Sequence, residues 1–166
     1  MPASNVDRYR RWFEYEKDAH QKVLRSLDAA AEAHRSPSFQ RAVDLFAHMM
    51  AARWLWLFRF GAASKPPADL FPQGVPAETL DRLAHEMHQA WSSYLDRLDE
   101  AELARTFEYQ SLDGPRYRNS VEDILTQLFG HSWYHRGQIA ALVRSCGSEP
   151  APTDFVFWCR ELILTE

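Results

Sequence analysis

Two imidazoles one helical turn apart, in His131-Ser132-Trp133-Tyr134-His135, are the side chains of this 166-residue sequence best placed to do chemistry. Residues four apart lie on one face of an α-helix, so both rings can reach a single point. That spacing suits ligation of one divalent metal at about 2.0–2.1 Å, as by the histidines of HExxH helices. The Glu that serves as general base in an HExxH peptidase is missing here, so metal-dependent peptide hydrolysis loses its main support. Ile124, Leu128, His131, His135 and Leu142 share one stripe, because their steps all return near the same angle at about 100° per residue. Both rings then face inward, where an imidazole needs a hydrogen-bond partner or a shared ion.

His48 is the third candidate. It shares a face with Leu45, Ala52 and Leu55, distinct from the side carrying Phe46, Met50 and Leu57. Read alone, it is a core histidine satisfied by a hydrogen bond. On a helix facing the pair, it completes a three-histidine set with an open coordination position, the form of catalytic zinc sites. Zinc or nickel is the first expectation for such a site and iron the second, since imidazole accepts all of them.

The remaining polar candidates rank lower. His85 and His88 fall on the polar margin of a helix and are expected in solvent, as is His34 at a helix end; His20 lies near the stripe of Phe13, Leu24 and Leu27 and is a reserve pocket contact. Asp44, Glu122 and Tyr134 are only neighbours in sequence, so no general acid or base is assigned. Arg136 either binds an anionic substrate or, the plainer reading, is a surface charge paired with a neighbouring helix. Gly130 and Gly137 read as sites of close helix approach, at a cost of about 1 kcal/mol each in helix propensity.

The elements that must position these residues are helices. Tyr9, Trp12, Phe13, Val23, Leu24 and Leu27 predict a first helix from Val6 to about Ala33. Ser36-Pro37-Ser38 reads as a stop and N-cap before a strongly apolar second helix, Phe39 to Phe60. Gly61 and the segment Ala62 to Pro76, with Pro66, Pro67, Pro72 and Pro76, predict a long connecting loop. A third helix is expected from about Ala77 to Asp99, with Leu80, Leu83, Met87, Trp91, Tyr94 and Leu98 inward. Between Ala104 and Ser120, alternation in Thr106-Phe107-Glu108-Tyr109 and the Asp113-Gly114-Pro115 turn predict a short extended hairpin or a looped crossover. Ser120 with Asp123 forms a capping arrangement opening a fourth helix to about Cys146, and a short helix is expected from about Thr153. The fold class is therefore all-α, a four-helix bundle with long crossover links, taken as one domain over 1–166.

Composition narrows the function classes. With 46% hydrophobic and 25% charged residues, the chain reads as an ordinary globular domain. A net charge of -4, from 19 basic and 23 acidic residues, offers no basic footprint for nucleic acid. No window is apolar enough for a membrane span, and Met1 to Arg11 is too polar for a secretory signal, so the expected location is the cytoplasm. Cys146 and Cys159, far apart and outside any CxxC, predict neither a disulfide framework nor a thiolate zinc site.

The segment from Leu128 to Ile139, with His131, His135, Arg136, Gly137 and Gln138 in HxxxHRGQ order, resembles the signature of the DinB/YfiT-like metalloenzyme superfamily. Leu45-Phe46-Ala47-His48 followed by Trp54-Leu55-Trp56 is similar to its second-helix histidine segment, and Pro152-Thr153-Asp154-Phe155 to its ending. The resemblance runs through nearly the whole chain in order. It implies a four-helix bundle, usually homodimeric, with one divalent metal held by three histidines that map onto His48, His131 and His135. It further implies a small-molecule substrate: some members transfer low-molecular-weight thiols to electrophiles or isomerise substrates with thiol help, while many have no established reaction. The other class it leaves open is a non-enzymatic metal-binding stress-response or structural dimer module. One departure is the first helix, which reads Tyr15-Glu16-Lys17-Asp18-Ala19-His20 where the family often carries an Asn and Trp pattern.

Overall fold

The structure, a computed structural model, describes residues 4–30 and 36–163, so the reading of His34 and the predicted end of the first helix at Ala33 lie outside the described residues. Four long helices dominate: α1 Asn5–Ala29, α2 Pro37–Arg59, α3 Leu80–Asp96 and α5 Val121–Ser145. Two short helices accompany them, α4 Glu100–Ala104 and α6 Phe155–Cys159, and one hairpin, β1 Thr106–Gln110 with β2 Arg116–Ser120. The all-α bundle expected from the periodicity is what forms, and none of the described helices is long and apolar enough to cross a membrane.

Local chemistry explains where the helices begin. Ser4 caps α1, with its Oγ accepting from the Asp7 N–H at 3.1 Å and the Asp7 carboxylate accepting from the Ser4 N–H at 3.4 Å. Ser120 and Asp123 make the same reciprocal pair at the start of α5, at 3.0 and 2.9 Å, so Asp closes the box despite being shorter than Glu. Of the serines flanking Pro37, Ser36 is the cap of α2, accepting from the Phe39 N–H, and Pro37 occupies the first turn, where its missing donor costs nothing. At the other end, Gly61 adopts φ +80°, the left-handed conformation that stops a helix.

Between α2 and α3 the proline-rich loop is strapped back onto α2 by polar groups of that helix. The Asp44 carboxylate accepts from the Val75 N–H at 3.0 Å and from Gln40 Nε2 at 2.9 Å, and Trp54 Nε1 donates to the Lys65 carbonyl. The predicted third helix divides: a 3₁₀ turn at Ala77–Thr79 precedes α3, which stops at Asp96. Asp99 then caps α4 by accepting from the Glu102 N–H at 2.7 Å, a cap-plus-acidic-turn signal legible in Asp99-Glu100-Ala101-Glu102. The Ala104–Ser120 stretch forms the hairpin rather than a crossover, with Tyr109 opposite Tyr117 and Glu108 opposite Arg118.

α2 lies at the centre of the bundle, packing against α1, α3 and α5, which is why it is apolar on two faces. Phe13, Phe46, Met49, Leu57, Trp91, Leu128 and Ile139 are fully buried in the common core. Burying each such side chain contributes on the order of 1.5–3 kcal/mol. The two glycines of α5 do not mediate close helix approach as expected. A Cβ at Gly130 or Gly137 would meet nothing within 4 Å, because both lie on the exposed face of the helix.

Candidate metal centre

Packing of α2 on α5 brings His48 against His131 and His135. His48 is 8% exposed, and the other two are half-buried at the rim of the core. Their Nε2 atoms converge: that of His131 lies 3.2 Å from that of His48 and 3.1 Å from that of His135. Among the described residues these three form the one histidine, cysteine or carboxylate group whose ligand atoms all lie within 4.8 Å of one another.

Neighbouring groups fix which ring nitrogen faces the centre. The Nδ1–H of His48 donates to the Leu70 carbonyl at 2.6 Å, and the Nδ1–H of His135 donates to Gln138 Oε1 at 2.7 Å. Both partners accept through oxygen, so both rings carry their proton on Nδ1 and present a bare Nε2 lone pair inward. His131 lies between two acceptors and can donate to at most one of them. Three inward Nε2 atoms with at most one proton among them fit a cation. Two ligands at about 2.0–2.1 Å from one ion would be about 2.9 Å apart at a right angle and about 3.3 Å apart at the tetrahedral angle, a range that brackets the observed separations.

Electrostatics favour the neutral, ligating form. Burial, then its two imidazole neighbours, pull His131 down to about 4. Burial also lowers His135, opposed by its hydrogen bond to Gln138 and reinforced by His48. Phe71 from the proline-rich loop stacks on His48 at 4.8 Å between centroids, and Tyr134 packs edge-on against His135 at 5.1 Å. A cavity of about 350 Å³ reaches the centre, with His48 and His131 in its wall.

Several other candidates lie elsewhere. Arg136 is neither a surface charge nor a lining group of that cavity: it is 4% exposed, its Nη2 donates to Tyr15 Oη at 2.6 Å, and its Nη1 lies 3.6 Å from Glu16 Oε1. One residue beyond His135, it points about 100° away, towards α1. Glu16 also pairs with Arg53 of α2, whose guanidinium lies among the rings of Phe13, Trp91 and Phe129. Sequence reasoning passed over this buried triad, although Glu16 falls three residues after Phe13 and four before His20 on the inward stripe of α1.

His20 is wholly buried rather than a pocket contact, with Nδ1 3.0 Å from His88 Nε2 and the two rings stacked. His88 is thus half-buried, not solvated, while His85 is exposed as expected. Burial pushes His20 well below its ordinary range and, with Arg53 and Lys17 nearby, His88 down to about 4, so the pair is neutral at pH 7. Asp44 is engaged in the loop strap and Glu122 accepts from Tyr9 at 3.4 Å. Cys146 and Cys159 are free thiols.

Protein DinB of Bacillus subtilis (strain 168) is 21% identical over 152 residues, which cover 86% of this chain and 88% of that protein. No solved structure is a significant match. The profile of the DinB family matches residues 1–161, a span that holds all three converging histidines and all the helices that carry them, and the chain belongs to the DinB family.

Proposed function

We propose that this protein is a metal-dependent enzyme that holds one divalent ion, zinc or nickel before iron, through His48, His131 and His135, and transfers a low-molecular-weight thiol to a small electrophile. The observation that carries the proposal is the convergence of three Nε2 atoms, those of His48 and His135 left bare by the hydrogen bonds to Leu70 and Gln138. When bound, such an ion supplies Lewis acidity that makes a thiol or water nucleophilic near neutral pH. The chain's own contribution is positional. Leu70 and Gln138 hold the rings, Phe71 shields His48 from water, and the cavity admits a small molecule beside His48 and His131. A homodimer is part of the proposal, supported by the exposed apolar side chains Trp133 and Tyr134 on α5 and Val156 and Phe157 on α6.

Gln138 is expected to matter without touching the ion. Gln138→Ala should weaken zinc affinity roughly 10–100-fold in competition with a chromophoric chelator, because the His135 ring loses the acceptor that fixes its orientation. An unchanged affinity would show that the ring is held by packing alone.

The reaction is tested by giving the zinc- or nickel-loaded protein cysteine as thiol and 1-chloro-2,4-dinitrobenzene as electrophile. The carbon–sulfur bond forms as chloride leaves and the thiol proton passes to buffer. A metal-dependent rate above background, absent in His131→Ala, supports the enzyme. Background rates with every metal, alongside tight stoichiometric binding, would favour the non-enzymatic metal-binding module.

A further inference from the structure

We propose that the cavity at the metal centre selects elongated organic anions, an apolar body ending in a carboxylate, and that Arg59 is the residue that recognises the charge. The inference rests on the three-histidine reading for the reactive end of the groove and on independent residues for its far end.

His48, Ala52, Leu55 and Arg59 follow one another along α2 at steps of four, three and four, so they share one stripe. Eleven residues of helix advance about 16 Å, which sets the length of the groove. The cavity of about 350 Å³ follows this stripe, with His48 and His131 at one end and Arg59 among its lining residues. Its walls are apolar: Leu55 and Trp56 come from α2, Phe71 from the proline-rich loop and Leu112 from the hairpin turn. Phe71 and Leu112 are 57% and 70% exposed, large apolar side chains facing a cavity that a ligand body would fill. Ala52, between the histidine and Leu55, leaves the floor open.

Arg59 is held ready for an anion. Its guanidinium lies 4.6 Å from the ring centroids of both Trp56 and Tyr109, and its Nη2 donates to the Gln110 carbonyl at 2.9 Å. The hairpin, through Tyr109 and Gln110, thus fixes the cation that α2 supplies. Burial works against the charge of Arg59, with Tyr109 the opposing neighbour. Among the described residues, no carboxylate lies within ion-pairing distance of it. A rigid guanidinium with free N–H donors matches a carboxylate through two parallel hydrogen bonds. Arg136, adjacent to the ligands in sequence, is already occupied by Glu16 and Tyr15, so the anion-binding role falls to Arg59.

The test titrates 4-phenylbutyrate, and 4-phenylbutanol as its uncharged counterpart, into the zinc-loaded and the metal-free protein by calorimetry. The parent protein is expected to prefer the acid about tenfold or more, a preference lost in Arg59→Gln and partly kept in Arg59→Lys. Leu112→Glu, a change at an exposed turn that leaves the core untouched, should weaken the acid more than the alcohol, because it sets a like charge beside the carboxylate as well as removing an apolar wall. Zinc content should be the same in every variant. Equal affinity for acid and alcohol, undiminished acid binding by Arg59→Gln, or no binding of the acid at all would overturn the proposal. A protein that takes up no zinc would instead count against the three-histidine reading, while the acid preference of its metal-free form would still decide the role of Arg59.

Discussion

Glu16→Gln is expected to cost about 3–5 kcal/mol of stability, the usual penalty for removing one partner of a buried ion pair. Glu16, Arg53 and Arg136 are 0%, 2% and 4% exposed, and the carboxylate is, among the described residues, the one negative charge paired with the two guanidiniums. Without it, two like charges share a low-dielectric core, each stranded from water. In urea denaturation the midpoint should fall while the slope stays constant, and the melting temperature should drop by roughly 6–20 °C. Replacing all three residues together by Leu and Met should recover much of the loss, because the desolvation penalty disappears with the charges. By contrast, Glu108, which pairs with Arg116 and Arg118 on the exposed hairpin, can be changed to Gln with no measurable loss. A Glu16→Gln protein as stable as the parent would contradict the ion-pair account of the core.

Zinc is expected to stabilise the parent protein against heat and to leave His131→Ala unaffected. At free metal one hundred times the dissociation constant, binding to the folded state alone contributes about 2.7 kcal/mol, or roughly 5–11 °C for a chain of this length. His131 is the pivot, since its Nε2 lies 3.2 and 3.1 Å from the Nε2 atoms of the other two histidines. Removing it leaves two ligands on different helices with nothing between them. The metal-free variant should melt near the metal-free parent, because the lost ring is only half-buried and is held neutral by burial and then by its neighbours. Equal zinc stabilisation of parent and variant would place the ion elsewhere.

Much of this was legible in the sequence, where local rules act alone. The bundle followed from periodicity, the α5 start from Ser120 and Asp123, and the inward histidine pair from an i, i+4 step among apolar residues. His48 became a partner of that pair only through the packing of α2 on α5, which spacing cannot supply. The misread residues share one cause. Position on a single helix does not reveal how deeply Arg136, His20 and His88 sit, because each is drawn inward by a partner on another helix: Glu16 and Tyr15 for Arg136, and the two histidines for each other. Tyr15, Glu16 and His20 follow one another along α1 and bring polar groups into the core. The setting of Arg59 is not legible from α2, because Tyr109 and the Gln110 carbonyl that hold it come from the hairpin.

Elemental analysis of protein purified without an affinity tag, with His48→Ala and the double change His131→Ala, His135→Ala alongside, tests the three-histidine centre itself. About one equivalent of zinc or nickel per parent chain is expected, lost in both variants, because such a site needs every one of its few protein ligands. A parent protein that carries no metal and takes up neither added zinc nor added nickel would contradict it.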